Sequence, residues 1–131
     1  MPNQVYEGVH PKSGIVGTAI TRHRYVVLAS DGQMDHVATQ GSIPPDGISL
    51  DNGPVVGRAF PYSPMDGADV PVECGAAVVV GALLMSDNVG RAITYVEAVN
   101  NVCTGRAKSA TSNAGEILRT LAQIMKTGGG T

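Results

Sequence analysis

The sequence predicts an all-β domain, and three observations lead to that prediction. The apolar residues are mostly small or β-branched, since the 131-residue chain has no Trp, one Phe and four Tyr. Seventeen glycines and eight prolines divide these apolar residues into short runs. Short runs separated by Gly, Pro, Asp and Asn are typical of strands joined by tight turns. A chain of this length is expected to form one domain around one core.

The expected strands are the short apolar or β-branched runs bounded by turn residues, near 15–20, 24–29, 35–39, 55–60, 69–73, 76–84, 91–96, 102–107 and 116–122. Asp31-Gly32 is the clearest turn signal, because glycine adopts positive φ without steric cost. The segment TQGSIPPDGISLDNGP, residues 39–54, is polar and contains several turn residues. It is predicted to be a loop or a bulged excursion rather than a buried element.

The end of the chain, GEILRTLAQIMK, has two interpretations. An internal similarity described below favours a strand over 116–122. Helical spacing on one face favours a short C-terminal helix instead, and it involves Ile117, Leu118, Leu121, Ile124 and Met125. Residues 126–131, which end in TGGGT, are predicted to be a flexible tail. Residues 1–14 are predicted to be an extended arm that orders against another surface, because their few apolar residues cannot cover themselves.

Two stretches of the chain share one outline. VVLASDGQMDHVA (26–38) and LLMSDNVGRAITYV (83–96) each contain an apolar run, then Ser-Asp, then a glycine. Each is followed by Gly-Arg-Ala, at 57–59 and at 105–107. We interpret this as a weak duplication with a period of about 50 residues. It divides a single β domain over 15–125 into two halves, about 24–73 and 76–122.

Composition and charge argue against several classes of function. The net charge is −2 and the nine Lys and Arg residues are scattered, so a nucleic-acid-binding surface is not expected. The longest apolar run, CGAAVVVGALLM, is too short to cross a membrane. The N-terminus lacks the pattern of a secretory signal. Cys74 and Cys103 lie within apolar runs and are expected to be buried free thiols, although a disulfide between them stays open.

No pattern for catalysis or metal binding is visible. Ser30-Asp31 and Ser86-Asp87 are expected to form turns, because Ser and Asp side chains bond neighbouring backbone amides. There is no G-x-S-x-G motif, phosphate-binding loop or G-x-G-x-x-G motif. Of the histidines, His23 lies between two arginines, and Asp35-His36 lacks a third metal ligand at useful spacing. Histidines on the solvated surface are therefore expected, with no cofactor, no metal and no enzymatic activity.

Arg58 and Arg106 are candidate functional residues because both occur in the repeated Gly-Arg-Ala. They could join the two halves by salt bridges, or they could contact a neighbouring subunit. The third alternative is that both are simply exposed arginines at strand ends.

The second half of the chain resembles the bacteriophage capsid decoration, or cement, proteins. The resemblance lies in VPVECGAAVVVGALLMSDNVGRAITYVE and CTGRAKSATSNAGEILRTLA, and it covers about 55–122 and, more loosely, 5–38. The matching positions of the first stretch are Val70, Val72, Gly75, Gly81, Leu84, Ser86, Asp87, Gly90, Arg91 and Ala92. Those of the second are Gly105, Ala107, Ala114, Gly115, Glu116 and Leu118.

The resemblance implies a small β-barrel or β-tulip domain that assembles as a homotrimer on the outer surface of a phage capsid. There it would hold neighbouring major capsid protein subunits together. The arm could add a strand to a sheet edge of the capsid. The residues expected at the capsid or subunit interface are therefore Val5, Tyr6, Val9, His10, Arg58 and Arg106.

A binding module of another class is the alternative hypothesis. A small β-barrel on a phage tail or at the host surface could bind carbohydrate. Such a site needs exposed aromatic rings, and the sequence offers Tyr25, Tyr62 and Tyr95 at scattered positions.

Overall fold

The structure is a computed structural model that describes residues 11–98 and 101–127. Within those residues every element of three or more residues is a β-strand, and none is a helix. The strands are β1 (Lys12–Ile15), β2 (Tyr25–Leu28), β3 (Met34–His36), β4 (Gly47–Ser49), β5 (Ala59–Pro64), β6 (Asp66–Glu73), β7 (Leu83–Ser86), β8 (Ala92–Thr94), β9 (Val102–Ala107) and β10 (Ile117–Thr127). The all-β prediction is confirmed.

The strands form two antiparallel five-stranded sheets. The first has the order β1-β5-β4-β2-β3 and the second β6-β10-β9-β7-β8. These orders are the same once the second sheet is counted from β6. The chain therefore contains the same topology twice, in residues 12–64, which we call repeat 1, and in residues 66–127, which we call repeat 2.

The two repeats correspond residue by residue at a spacing of 58 positions. In repeat 1 a parallel bridge joins Val16 to Met34, and in repeat 2 the same bridge joins Cys74 to Ala92. The antiparallel bridge between Ile20 and Gly53 likewise recurs between Val78 and Thr111. Pairing registers agree as well, since Tyr25↔Ile48 corresponds to Leu83↔Arg106.

This correspondence differs from the one that the sequence suggests. Arg58 precedes β5, whereas Arg106 lies in β9, which is equivalent to β4. The two Gly-Arg-Ala segments are therefore not equivalent, and the position equivalent to Arg58 is Glu116. The β6 strand also begins repeat 2 instead of ending the first half, so the boundaries near 73 and 76 are wrong. Short motifs rich in glycine and alanine recur by chance too easily to set a register.

Neither sheet closes into a barrel, which corrects the barrel-like expectation. The outer strands of each sheet meet only at the single parallel bridge, supported by a bond from the Gly17 amide to the Met34 carbonyl at 2.8 Å. The equivalent bond in repeat 2 runs from the Gly75 amide to the Ala92 carbonyl, also at 2.8 Å. Each repeat is thus a curled sheet whose edges touch at one point.

Each curled sheet encloses apolar side chains at equivalent positions. Repeat 1 has a small core of its own, formed by Val16, Ile20, Val26, Met34 and Phe60. The equivalent residues of repeat 2 belong to the larger core cluster, and they are Cys74, Val78, Leu84, Ala92 and Leu118. That larger cluster also includes Tyr25, Val37 and Ile48 of repeat 1, so it fills the junction between the repeats.

Other expectations also change. The C-terminal segment is the strand β10, so the short helix is wrong. The segment 39–54 contains the buried strand β4, in which Ile48 and Ser49 are fully buried. The segment 76–82 precedes β7 rather than extending that strand, and it exposes Val79 and Val80 while Val78 is buried. The predicted arm ends inside β1, and the predicted tail begins inside β10. Residues 1–10 and 128–131 lie outside the described residues.

Close backbone approach requires glycine at one equivalent pair of positions. A Cβ atom at Gly105 would overlap the Leu121 carbonyl oxygen, and one at Gly47 would overlap the Ser63 carbonyl oxygen. Both glycines lie in the central strand of their sheet, where the two neighbouring strands leave no room. The absence of a Cβ atom at these two positions therefore allows the central strand of each repeat to lie at hydrogen-bonding distance from its neighbour.

We expect Gly105→Ala to lower the free energy of unfolding by at least about 3 kcal/mol, because overlap with backbone adds to conformational strain. Gly32→Ala is the control. Gly32 has a positive φ of 83° but open space around the missing Cβ, so only strain of about 1–2 kcal/mol is expected there. Urea unfolding of both variants checks this, and equal losses would contradict the role of close approach.

Candidate functional site

The two Ser-Asp pairs form turns, as predicted. The Asp31 carboxylate accepts a bond from the Gln33 amide at 2.9 Å. The Asp87 carboxylate accepts bonds from the amides of Val89 and Arg91 at 2.9 and 2.8 Å. Both aspartates therefore stabilise the hairpins between the second and third strands of their repeats, and this use of the carboxylates is structural.

The described residues contain no group of three or more His, Cys, Asp or Glu side chains that could hold a metal ion. Cys74 and Cys103 are both buried and unpaired, so the expectation of free thiols is confirmed. In the part of the chain that the structure describes, no helix is long and apolar enough to cross a membrane.

His23 is buried, which corrects the expectation of a solvated side chain. Its exposed fraction is 4%, and no hydrogen-bond partner for its Nδ1 is found among the described residues. Its φ of 65° is positive, and the equivalent residue of repeat 2 is Gly81, with φ 86°. Burial lowers the pKa of His23, as does the nearby Arg22, while Glu73 opposes the shift. Burial at the junction between the repeats therefore favours the neutral form of His23.

His36 is also partly buried and performs a structural task. Its Nε2 accepts a bond from the Thr21 amide at 3.0 Å, which requires the neutral ring. Burial lowers the pKa of His36, and Arg24 lowers it further. Both histidines thus favour the uncharged form in the folded protein.

We expect stability to fall as the pH drops below about 6.5. Because both folded-state pKa values lie below the ordinary value of 6.5, the unfolded chain binds more protons in that window. Full stability from this source is present above 6.5 and is lost as the pH falls through the lowered values. Melting temperatures between pH 8 and pH 5 measure it.

The matched variant is His23→Asn with His36→Gln, because asparagine tolerates positive φ and glutamine keeps a hydrogen-bond acceptor. The double variant should show a shallower loss of melting temperature over this range. A loss as steep as that of the unchanged chain would assign the pH dependence to other groups.

An ion-pair network joins the two repeats. Arg24 of repeat 1 contacts the Glu73 carboxylate of repeat 2 at 3.3 Å. Arg91 approaches the same carboxylate at 3.9 Å and also pairs with Asp87 at 3.2 Å. The four side chains are mostly buried, with exposed fractions between 9% and 28%. No motif in the sequence identifies this network, because Arg24 is 49 residues from Glu73 along the chain.

Glu73→Gln should lower the free energy of unfolding by about 1–3 kcal/mol, because two partly buried arginines lose their shared carboxylate. Asp66→Asn is the control, since Asp66 is an exposed acid on the same strand and should change stability by less than about 0.5 kcal/mol. Chemical unfolding of the two variants gives the comparison. Equal effects would mean that the network contributes nothing beyond surface charge.

Three hydrogen bonds between the repeats complete the junction. The Tyr25 amide donates to the Gly90 carbonyl at 2.7 Å, and the Glu73 amide donates to the His23 carbonyl at 2.7 Å. The Thr104 hydroxyl donates to the Tyr25 hydroxyl at 2.8 Å. Tyr25 is fully buried, and burial raises its pKa well above the usual range. The ring that the sequence offered as a stacking platform is therefore part of the core.

The remaining candidates lie apart from the junction. Arg58 and Arg106 are both exposed, and neither forms a salt bridge with another described residue. Arg106 donates from Nη1 to the Gly81 carbonyl at 3.0 Å. The structure does not bring these two arginines together. The other candidates lie in residues 1–10, outside the described residues, and they are Val5, Tyr6, Val9 and His10.

Exposed apolar loops are the most unusual surface feature. Val79 and Val80 are 71% and 64% exposed, and Val55 and Val56 are 53% and 58% exposed. Adjacent pairs of exposed valines are the kind of surface that marks contact with another molecule. The sequence placed both pairs inside strands, so it did not identify them as surface.

A shallow concavity of about 340 Å³ lies over β1 and β5. It is lined by Pro11, Lys12, Ser13, Ala59, Phe60 and Pro61. Phe60 itself is only 2% exposed, so its ring is not available for stacking on a sugar. Of the three tyrosines on which the carbohydrate alternative depends, Tyr25 is buried and Tyr62 and Tyr95 are half-buried.

The fold is similar to that of a phage protein whose structure has been solved. The chain matches the crystal structure of the N base of head fiber gp8.5 in bacteriophage phi29 with a TM-score of 0.69. The match covers 90% of this chain and 98% of that chain, at 15% sequence identity. No protein-family model matches the chain, and no curated protein matches it. At this identity the similarity shows a shared fold.

Proposed function

We propose that this chain is a structural protein of a phage virion that binds the outer surface of the head. The observation that carries the proposal is the similarity of fold to a head fiber base over nearly the whole length of that chain. The decoration-protein resemblance of the sequence supports the same location independently of the fold. On this proposal the protein is a homotrimer that holds neighbouring major capsid protein subunits together.

Multiple copies suit the physical properties of this chain. The described residues of each copy offer small apolar surfaces, such as the Val55-Val56 and Val79-Val80 loops. Weak contacts of this kind become effective when several are linked and engage together. A trimer that touches several capsid subunits at once therefore gains strength without a single extensive interface.

We further propose that residues 1–10 contact the capsid, with Val5, Tyr6, Val9 and His10 as the contact residues. These residues directly precede β1, which is an edge strand of the first sheet. An edge strand has unpaired backbone groups on one side, and extended segments commonly bind by strand addition.

Deletion of residues 1–10 should reduce binding to capsids of the same phage at least about tenfold, because the contact residues are removed while β1 stays. Co-sedimentation with empty expanded capsids measures the binding. Deletion of residues 128–131 is the control and should leave it unchanged. Undiminished binding by the first variant would contradict the role of the arm, and absence of binding by the unchanged chain would contradict the proposed function.

A further inference from the structure

The contact between the repeats is directional. Repeat 1 contributes one set of residues, which we call the docking surface: His23, Tyr25, Val37, Ile48 and Ser63. Repeat 2 contributes a different set at the opposite end of its sheet, which we call the receiving surface: Glu73, Ser86, Gly90, Val102 and Thr104. The Tyr25 amide donates to the Gly90 carbonyl, and the Thr104 hydroxyl donates to the Tyr25 hydroxyl. Beside these bonds, the Gly41 amide of repeat 1 donates to the Ser86 carbonyl and the Val102 amide donates to the Gly41 carbonyl.

Each repeat has both surfaces, because the two repeats correspond residue by residue. The docking surface of repeat 1 is buried within the chain. Its equivalent in repeat 2 is partly or fully exposed, and it consists of Gly81, Leu83, Tyr95, Arg106 and Leu121. The receiving surface of repeat 2 is buried or nearly so, whereas its equivalent in repeat 1 is exposed throughout, at Ile15, Leu28, Gly32, Pro44 and Asp46.

The exposed receiving surface is more apolar than its buried counterpart. Ile15 is 39% exposed and Leu28 is 56% exposed. The equivalent residues at the junction are the polar Glu73 and Ser86. Apolar residues where the buried copy has polar ones indicate a surface that another molecule covers.

The exposed docking surface shows a similar change at one position. The half-buried Leu121 replaces Ser63, which is polar and fully buried in repeat 1. Apolar side chains therefore lie on both exposed surfaces, Leu83 and Leu121 on one and Ile15 and Leu28 on the other.

The charges at the two exposed surfaces are also complementary. Arg106 occupies the position of Ile48, which is the cross-strand neighbour of Tyr25. Asp46 occupies the position of Thr104, which bonds the Tyr25 hydroxyl. A contact that repeats the junction would therefore bring Arg106 of one copy close to Asp46 of the next. Attraction between these opposite charges would favour the register in which the two copies repeat the internal junction.

We infer that copies of this chain associate head to tail, with the docking surface of repeat 2 in one copy against the receiving surface of repeat 1 in the next. This contact repeats between chains the contact that the chain already makes within itself. Because two different surfaces meet, the contact is heterologous and closes into a ring or continues as a filament. Closure at three copies would form the proposed homotrimer, and to that extent the inference rests on the proposed function.

Two single substitutions test the inference by light scattering. Arg106→Asp changes the docking surface and Leu28→Asp changes the receiving surface, and both side chains are exposed, so folding should be unaffected. The unchanged chain should have a mass of three copies, and each variant should have the mass of one. Met125→Asp is the control, since Met125 is 42% exposed and belongs to neither surface, so its mass should stay at three.

Mixing the two variants separates a head-to-tail contact from a symmetric one. Arg106→Asp keeps an intact receiving surface and Leu28→Asp keeps an intact docking surface. An equimolar mixture should therefore form pairs, with a mass of two copies and no further growth. A variant that retains the full mass would overturn the inference, as would an unchanged chain that stays monomeric at millimolar concentration.

Capsid co-sedimentation distinguishes this inference from the proposed function. An unchanged chain that binds capsids but never self-associates would overturn the head-to-tail contact and leave the capsid-binding function intact. A chain that forms the ring but does not bind capsids would support the head-to-tail contact and contradict the capsid-binding function.

Discussion

The burial of one row of side chains in repeat 1 against repeat 2 is the interaction on which the rest of the structure depends. Tyr25, Ile48 and Ser63 lie side by side across three strands and are all fully buried. Repeat 1 has only a small core of its own, and a unit of about 50 residues buries so little surface that its stability alone is marginal. The junction therefore supplies the part of the core that a single curled sheet lacks.

Duplication explains how the same backbone serves two purposes. The bridges, turns and tight glycine positions recur at a constant spacing, so both repeats have the same shape. The side chains at equivalent surface positions differ in chemistry. At the junction an ion-pair network joins the repeats, whereas the exposed equivalents of the two junction surfaces carry leucine and isoleucine. The same backbone shape therefore forms the contact within the chain through one set of side chains. It leaves a second set exposed for a contact between chains.

The surface chemistry also accounts for the proposed role in a virion. A protein that adds strength to a shell needs repeated contacts and a rigid frame more than it needs a deep pocket. The described residues provide such a frame, with long-range strand pairing in both sheets and exposed apolar loops at their ends. Its charged residues largely stabilise turns and the junction, as Asp31, Glu73 and Asp87 do.

The sequence by itself determined the class of structure and the local features that depend on neighbouring residues. Turn chemistry at Asp31 and Asp87, the buried free thiols and the all-β class follow from composition and short-range hydrogen bonding, so they could be predicted. The resemblance to decoration proteins pointed to a phage particle. The internal similarity was detected, but low identity left its register undetermined.

Only the tertiary structure decided the features that depend on distant residues. The 58-residue register rests on strand pairing, in which one Gly-Arg-Ala segment precedes a strand and the other lies within one. The burial of His23 and Tyr25 and the exposure of Val79 and Val80 depend on what packs against them, and neither is encoded in local pattern. The segment of β10 is a strand despite the helical spacing of its apolar residues, because β6 and β9 bond its backbone on both sides. Pairing between distant segments therefore overrides local periodicity here.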